Sequence, residues 1–138
     1  MKKTLNIAII EDNRLYSTQV KSALKEELSQ LGKKGLIWEI ECFESAKKFL
    51  SSFRKFDIIC LDYQLDEKGD EFLSGEDLLS LIKSNHPDTH VIMMSGQEEL
   101  QLVARLKKLG ADHYLMKNPR TIDRIRQIVM TFCLNLAI

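Results

Sequence analysis

The stretch FDIICLDYQL (56–65) holds an apolar run, Ile58 to Leu61, that stops abruptly at Asp62. A short continuous apolar run bounded by polar residues reads as a strand buried on both faces. A carboxylate at its end either opens a loop or is held at the strand tip to bind or react. The rest of the chain decides between the two.

Four more runs have the same character: LNIAII (5–10), LIWEIECF (36–43), HVIMM (90–94) and DHYLM (112–116), beside DIICL (57–61) itself. Helical spacing fills the intervals. Val20, Leu24, Leu28 and Leu31 share one face, and GKKG (32–35) stops that helix. Residues 44–54 place Ala46, Phe49, Leu50 and Phe53 inward. After a polar loop at 62–73, Ser74 with Asp77 makes a capping-box-like start for a helix through Lys83. NHPDT (85–89) is a turn. Residues 97–109 form a helix with Leu100, Val103, Ala104 and Leu106 among its apolar positions, closed by Gly110. Asn118 and Pro119 suit the N-cap and first turn of a last helix, with Ile122, Ile125, Val129, Phe132 and Leu136 on one stripe.

Five alternating strand–helix units imply an α/β fold with a parallel sheet covered on both faces. Ligands of such sheets sit outside the carboxyl ends of the strands, near a topological switch point. Those ends carry Glu11-Asp12-Asn13, Asp62, Ser95-Gly96 and Lys117, with Tyr114 just before the last; the second strand ends in Phe43-Glu44, without obvious chemistry. With the first, third and fourth strands central, one mouth would hold three carboxylates, a hydroxyl and a lysine. Clustered carboxylates repel, and an oxygen-only set suits a hard cation such as Mg²⁺. Asp62 could attack phosphorus, since aspartyl phosphates are a known covalent intermediate. Lys117 would be a point charge for phosphoryl oxygens, and Ser95 would supply a hydroxyl.

Bulk properties agree. The 138 residues suit one domain, and 20 basic residues balance 20 acidic ones, leaving no global charge to draw nucleic acid or anionic membrane. Cys42, Cys60 and Cys133 are scattered and read as small buried hydrophobes in a reducing compartment. His86, His90 and His113 read as surface or turn residues. No stretch is long enough to span a bilayer, and the start lacks a signal pattern, so a cytoplasmic protein is expected.

The pieces IIEDN (9–13), DIICLDYQL (57–65), VIMMSG (91–96) and LGADHYLMK (109–117) together resemble the receiver domain of two-component response regulators. The resemblance covers nearly the whole chain. One piece alone would be weak; four in order at strand ends are specific. It implies a single (βα)5 flavodoxin-like three-layer sandwich over residues 1–138, with strand order 2-1-3-4-5. Without an output motif after the fifth helix the chain reads as the stand-alone type, a receiver excised from a larger regulator or hybrid kinase being the alternative. It implies Asp62 as phosphoacceptor, with Mg²⁺ held by Glu11, Asp12, Asp62 and the backbone carbonyl of Gln64. Ser95 would be the switch hydroxyl, Tyr114 the aromatic switch residue and Lys117 the site lysine, while Gln64 and Gln97 would tune phosphoryl lifetime. The implied donor is a histidine kinase or histidine phosphotransfer protein. The implied output is a protein contact, with no nucleic acid or membrane partner. Catalysis would be limited to self-phosphorylation and autodephosphorylation. Apolar residues off the main stripe of the last helix (Ile128, Met130, Leu134, Ile138) read equally as deep packing or as a dimer surface on the fourth helix, fifth strand and fifth helix.

Two departures from the family pattern stand out. Asp66 replaces the usual proline four residues after the phosphoacceptor, the glycine is Gly75, and the acidic loop 66–75 is long. Its acidic residues fail the calcium-loop spacing. Lys117-Asn118-Pro119 replaces Lys-Pro, so the bond after Lys117 would be trans or the cis bond moved to Asn118–Pro119. Two other readings compete. One is a pseudo-receiver that binds partners without phosphorylation. The other is a haloacid-dehalogenase-type phosphatase, which needs a second aspartate where Gln64 stands.

Overall fold

The computed structural model describes residues 3–52, 54–65, 73–96 and 99–136. Strands β1 (Lys3–Ile10), β2 (Leu36–Phe43), β3 (Ile58–Asp62), β4 (His90–Ser95) and β5 (His113–Met116) form one parallel sheet in the order β2-β1-β3-β4-β5. Between and after them run α1 (Arg14–Leu31), α2 (Ala46–Ser51), α3 (Gly75–Asn85), α4 (Leu100–Lys108) and α5 (Thr121–Leu134). This is the parallel α/β sheet expected from the alternation, in the flavodoxin-like strand order that the resemblance implies.

The period of two along each strand divides the core. Ala8, Ile10, Ile59, Leu61, Val91 and Met93 point to one face and pack with Phe49 of α2, Leu78 and Ile82 of α3, and Leu102 and Leu106 of α4. Ile7, Ile9, Ile58, Cys60, Ile92 and Met94 point to the other, against Val20, Leu24 and Leu28 of α1 and Ile125, Val129 and Cys133 of α5. Every residue of β3 is buried, because strands flank it on both sides and helices cover both faces. The apolar run of Ile58 to Leu61 follows from that position.

Several expectations are corrected. The first strand begins at Lys3, since pairing with β2 continues to Lys3↔Leu36. The fourth helix begins at Leu100, with Glu99 as an N-cap that makes no side-chain bond. Gly110 follows the C-cap Leu109 rather than being it, and takes a left-handed φ of 113°. Asn118 does not cap α5. Its side chain accepts from the Arg120 N–H at 2.8 Å and its own N–H donates to Thr121 Oγ1 at 2.8 Å, closing a turn ahead of the helix. Cys42 is exposed, because β2 is an edge strand, while Cys60 and Cys133 are buried. His90 and His113 are not simple surface residues: they are half-buried, with ring centroids 4.9 Å apart. Phe53, Gln97, Ile138 and loop residues 66–72 lie outside the described residues. Among the described residues no peptide bond is cis, so Lys117–Asn118 and Asn118–Pro119 are both trans.

Candidate functional site

The chain passes from β1 out to β2 and returns across β1 to β3, which makes the β1/β3 boundary the switch point of the sheet. Glu11 and Asp12 follow β1 directly, and Asp62 is the last residue of β3. Their carboxylate oxygens can come within 4.8 Å of one another. Glu11 and Asp62 are 1% and 2% exposed, so neither charge is solvated as in water.

Lys117, just beyond β5, answers them. Its Nζ lies 2.5 Å from Glu11 Oε1 and 3.3 Å from Asp62 Oδ1. The Lys117 N–H donates to the Ser95 carbonyl at 2.7 Å, which extends the β4–β5 pairing and fixes where the lysine starts. Asp62 Oδ1 also accepts the Gln64 N–H at 3.2 Å, and Glu11 Oε2 accepts the Asn13 N–H at 3.2 Å. Burial pushes both acids above the usual carboxylate range; Asp62 adds to the rise at Glu11, and Lys117 opposes it at each. Burial of Lys117 favours the neutral amine, but Glu11 and Asp62 outweigh it and hold the ammonium above its ordinary range.

Three carboxylates against one ammonium leave a local charge of minus two. A dication is the natural complement. The donors are all oxygen and two of the three are buried, which suits a hard cation rather than a thiophilic one. The donor set therefore fits Mg²⁺, with Glu11, Asp12 and Asp62 as its carboxylates.

Strand alternation also sorts the remaining residues. Ser95, fully buried, shares parity with Val91 and Met93, so it belongs to the α3–α4 side. Tyr114 pairs in register with Met93 and packs, partly buried, against the same cluster. Ser95 and Tyr114 thus share one face, while Glu11 and Asp62 share parity with the α1–α5 face. Gln64 is exposed, and its Oε1 would lie 3.7 Å from a β-carbon placed on Gly96.

A family model of the response regulator receiver domain matches residues 7–130. The chain belongs to the response regulator receiver domain family. Solved receiver structures agree in fold. The Francisella response regulator 1452 receiver domain is 22% identical with a TM-score of 0.70, covering 92% of this chain and 94% of that one. A CheY-like receiver domain protein from Methanospirillum hungatei is 25% identical with a TM-score of 0.69, covering 94% of each chain. DrrB, an OmpR/PhoB homolog from Thermotoga maritima, is 25% identical with a TM-score of 0.71, covering 95% of this chain and 53% of that one. No curated protein sequence matches the chain.

One contributor to this receiver site escapes sequence reading, and a second, Gly75, is legible only as a family position without its physical reason. Lys117 Nζ lies 4.8 Å from the centroid of the Tyr16 ring in α1, a cation–π contact between distant parts of the chain. Its signal is indirect: Tyr16 lies on the helix that covers the face to which Glu11 and Asp62 belong. Gly75, the first residue of α3, lies directly behind the phosphoacceptor candidate. A β-carbon there would sit 2.7 Å from the Asp62 carbonyl oxygen and 2.6 Å from that of Tyr63.

Proposed function

We propose that this receiver domain accepts a phosphoryl group on Asp62 from a phosphohistidine donor and uses it to switch a protein-binding surface. The observation that carries this reading is the buried Asp62 at a strand tip, 3.3 Å from Lys117 and clustered with two further carboxylates. An Asp62 carboxylate oxygen attacks phosphorus, the P–N bond to the donor imidazole breaks, and that imidazole leaves with its electron pair and is protonated. Little covalent work falls to the protein, so positioning and charge neutralisation carry the rate.

Each side chain has a part. The Gln64 N–H orients the Asp62 carboxylate. Lys117 exchanges a carboxylate partner for a phosphoryl oxygen. Glu11, Asp12, Asp62 and the Gln64 carbonyl would hold Mg²⁺, which supplies charge neutralisation at the transferring group. Ser95 turns its hydroxyl toward another phosphoryl oxygen, and Tyr114, on the same face, moves into the space vacated. The surface of α4, β5 and α5 then differs between the two states, and a protein partner, or a second copy of the domain, reads it. Gln64 and Gln97 govern how readily water reaches the phosphoryl group. A histidine kinase or phosphotransfer protein is the donor. Such donors are charged from ATP, which places the exchange in the cytoplasm. No helix among the described residues is long and apolar enough to cross a membrane.

Intact-protein mass spectrometry after incubation with Mg²⁺ and acetyl phosphate or phosphoramidate tests the assignment. One labile phosphate on the wild type and none on Asp62→Asn is the expected result. An adduct that survives the substitution would place the acceptor elsewhere.

A further inference from the structure

His90 is the first residue of β4 and His113 the first of β5, so both stand at the end of the sheet opposite the carboxylates. The five steps of β4 from His90 to Ser95 put about 16 Å between the two ends. The two imidazoles line a cleft of about 420 Å³ with the outer half of α5, in a size range that admits a small molecule. Ile128, Phe132 and Leu136 supply an apolar wall, and the Phe132 ring lies 5.8 Å from that of His90. The remaining lining groups are Arg124, two amides and a hydroxyl; no carboxylate lines the cleft.

One acid stands beside the cleft: Asp112 Oδ1 lies 3.9 Å from His90 Nδ1. Among the described residues Arg124 has no carboxylate within ion-pair range, whereas Arg126 of the same helix stands 3.7–3.9 Å from Glu26, Glu27 and Asp123. Asp112 is the nearby acid, and it is already engaged: it accepts Lys83 Nζ at 2.9 Å and the Val91 N–H at 2.8 Å. Burial first, and then His90, Arg124 and Lys107, hold the His113 imidazole below its ordinary proton affinity, with Asp112 pulling the other way. Among the described residues Arg124 is thus a lining cation that no carboxylate engages, and an anion in the cleft would pair with it.

We propose that this cleft binds a small monocarboxylate with an aromatic or branched aliphatic body. The carboxylate pairs with Arg124 beside His113, and the body lies against Ile128, Phe132 and Leu136. The site is distinct from the carboxylate cluster and does not depend on phosphorylation.

The test is an amide ¹H–¹⁵N titration of the unphosphorylated domain with benzoate, phenylacetate and isovalerate, each beside its neutral amide. Saturable shifts confined to residues around 90–91, 113 and 124–136 are expected from at least one carboxylate, with the amide much weaker. Arg124→Gln, an exposed substitution, should weaken that binding about tenfold or more, the loss of one charge-assisted pair. Three results would overturn the proposal: shifts scattered over the surface or centred on Lys117, equal binding of acid and amide, or no localised shift from any carboxylate on a folded protein.

Discussion

At Asp62 a single side chain carries two opposed demands. Reaction asks for an ionised carboxylate, while burial disfavours one. A carboxyl whose folded-state proton affinity is raised stabilises the fold while it is protonated. That contribution is complete below the unfolded carboxylate range of about pH 4 and is lost as pH rises through the folded value. Above that window Glu11 and Asp62 cost stability, and Lys117 together with the N–H groups of Gln64 and Asn13 offsets part of that cost. Asp62→Asn should therefore stabilise the metal-free protein by about 1 kcal/mol near neutral pH, and much less at acid pH. Saturating Mg²⁺ should stabilise the wild type more than the variant and erase that gain. Thermal melts with and without Mg²⁺ check both statements, and a lower melting point for metal-free Asp62→Asn would mean that the Lys117 pair outweighs burial. Gly75 is a second demanding position. Any side chain there meets backbone at 2.6–2.8 Å, which no rotamer relieves. Gly75→Ala should cost about 1–3 kcal/mol in urea unfolding and slow phosphorylation of Asp62, because either α3 or the strand tip must shift.

Among the elements, α3 shows how local chemistry sets a boundary. Ser74 accepts the Asp77 N–H at 3.1 Å while Asp77 accepts the Ser74 N–H at 3.2 Å, so the helix starts where the sequence places it. At the start of α5, Asn118-Pro119 has the composition of a cap, whereas Thr121 Oγ1 donates to the Met116 carbonyl at 2.6 Å and holds the chain in a turn for longer. The far end of α5 is closed from outside. Lys33, in the connection from α1 to β2, donates from Nζ to the Cys133 carbonyl at 2.7 Å and the Leu136 carbonyl at 3.0 Å. A cation on the terminal carbonyls of a helix is favourable both as a donor and against the dipole. Lys33→Met should cost about 1 kcal/mol. It should also speed hydrogen exchange at the amides of 133–136 without a matching change in β3. Uniform loss of protection would mean that the clamp supports the whole fold rather than one end of a helix.

For the molecule as a whole, the strand–helix alternation was legible because apolar runs and helical stripes have different periods, and five of each leave few arrangements. The order of the strands came from resemblance, since period alone does not say which strand neighbours which. The carboxylates, Ser95 and Lys117 were legible as strand-end residues. Tyr16 was not, because its contact with Lys117 depends on which face α1 covers. The pairing of His90 with His113 was hidden for a similar reason: it needs β4 and β5 side by side and α5 folded over their starts. The Lys33 clamp has a consequence for synthesis. The inward face of α1 leaves the ribosome with Val20, Leu24 and Leu28 uncovered, and its partner residues in α5 follow about a hundred positions later. At ordinary elongation rates that gap is about 5–20 s. Throughout it the nascent chain has β1 and β2 to cover part of that face but not α5, and the uncovered part is a target for any chaperone at the exit tunnel.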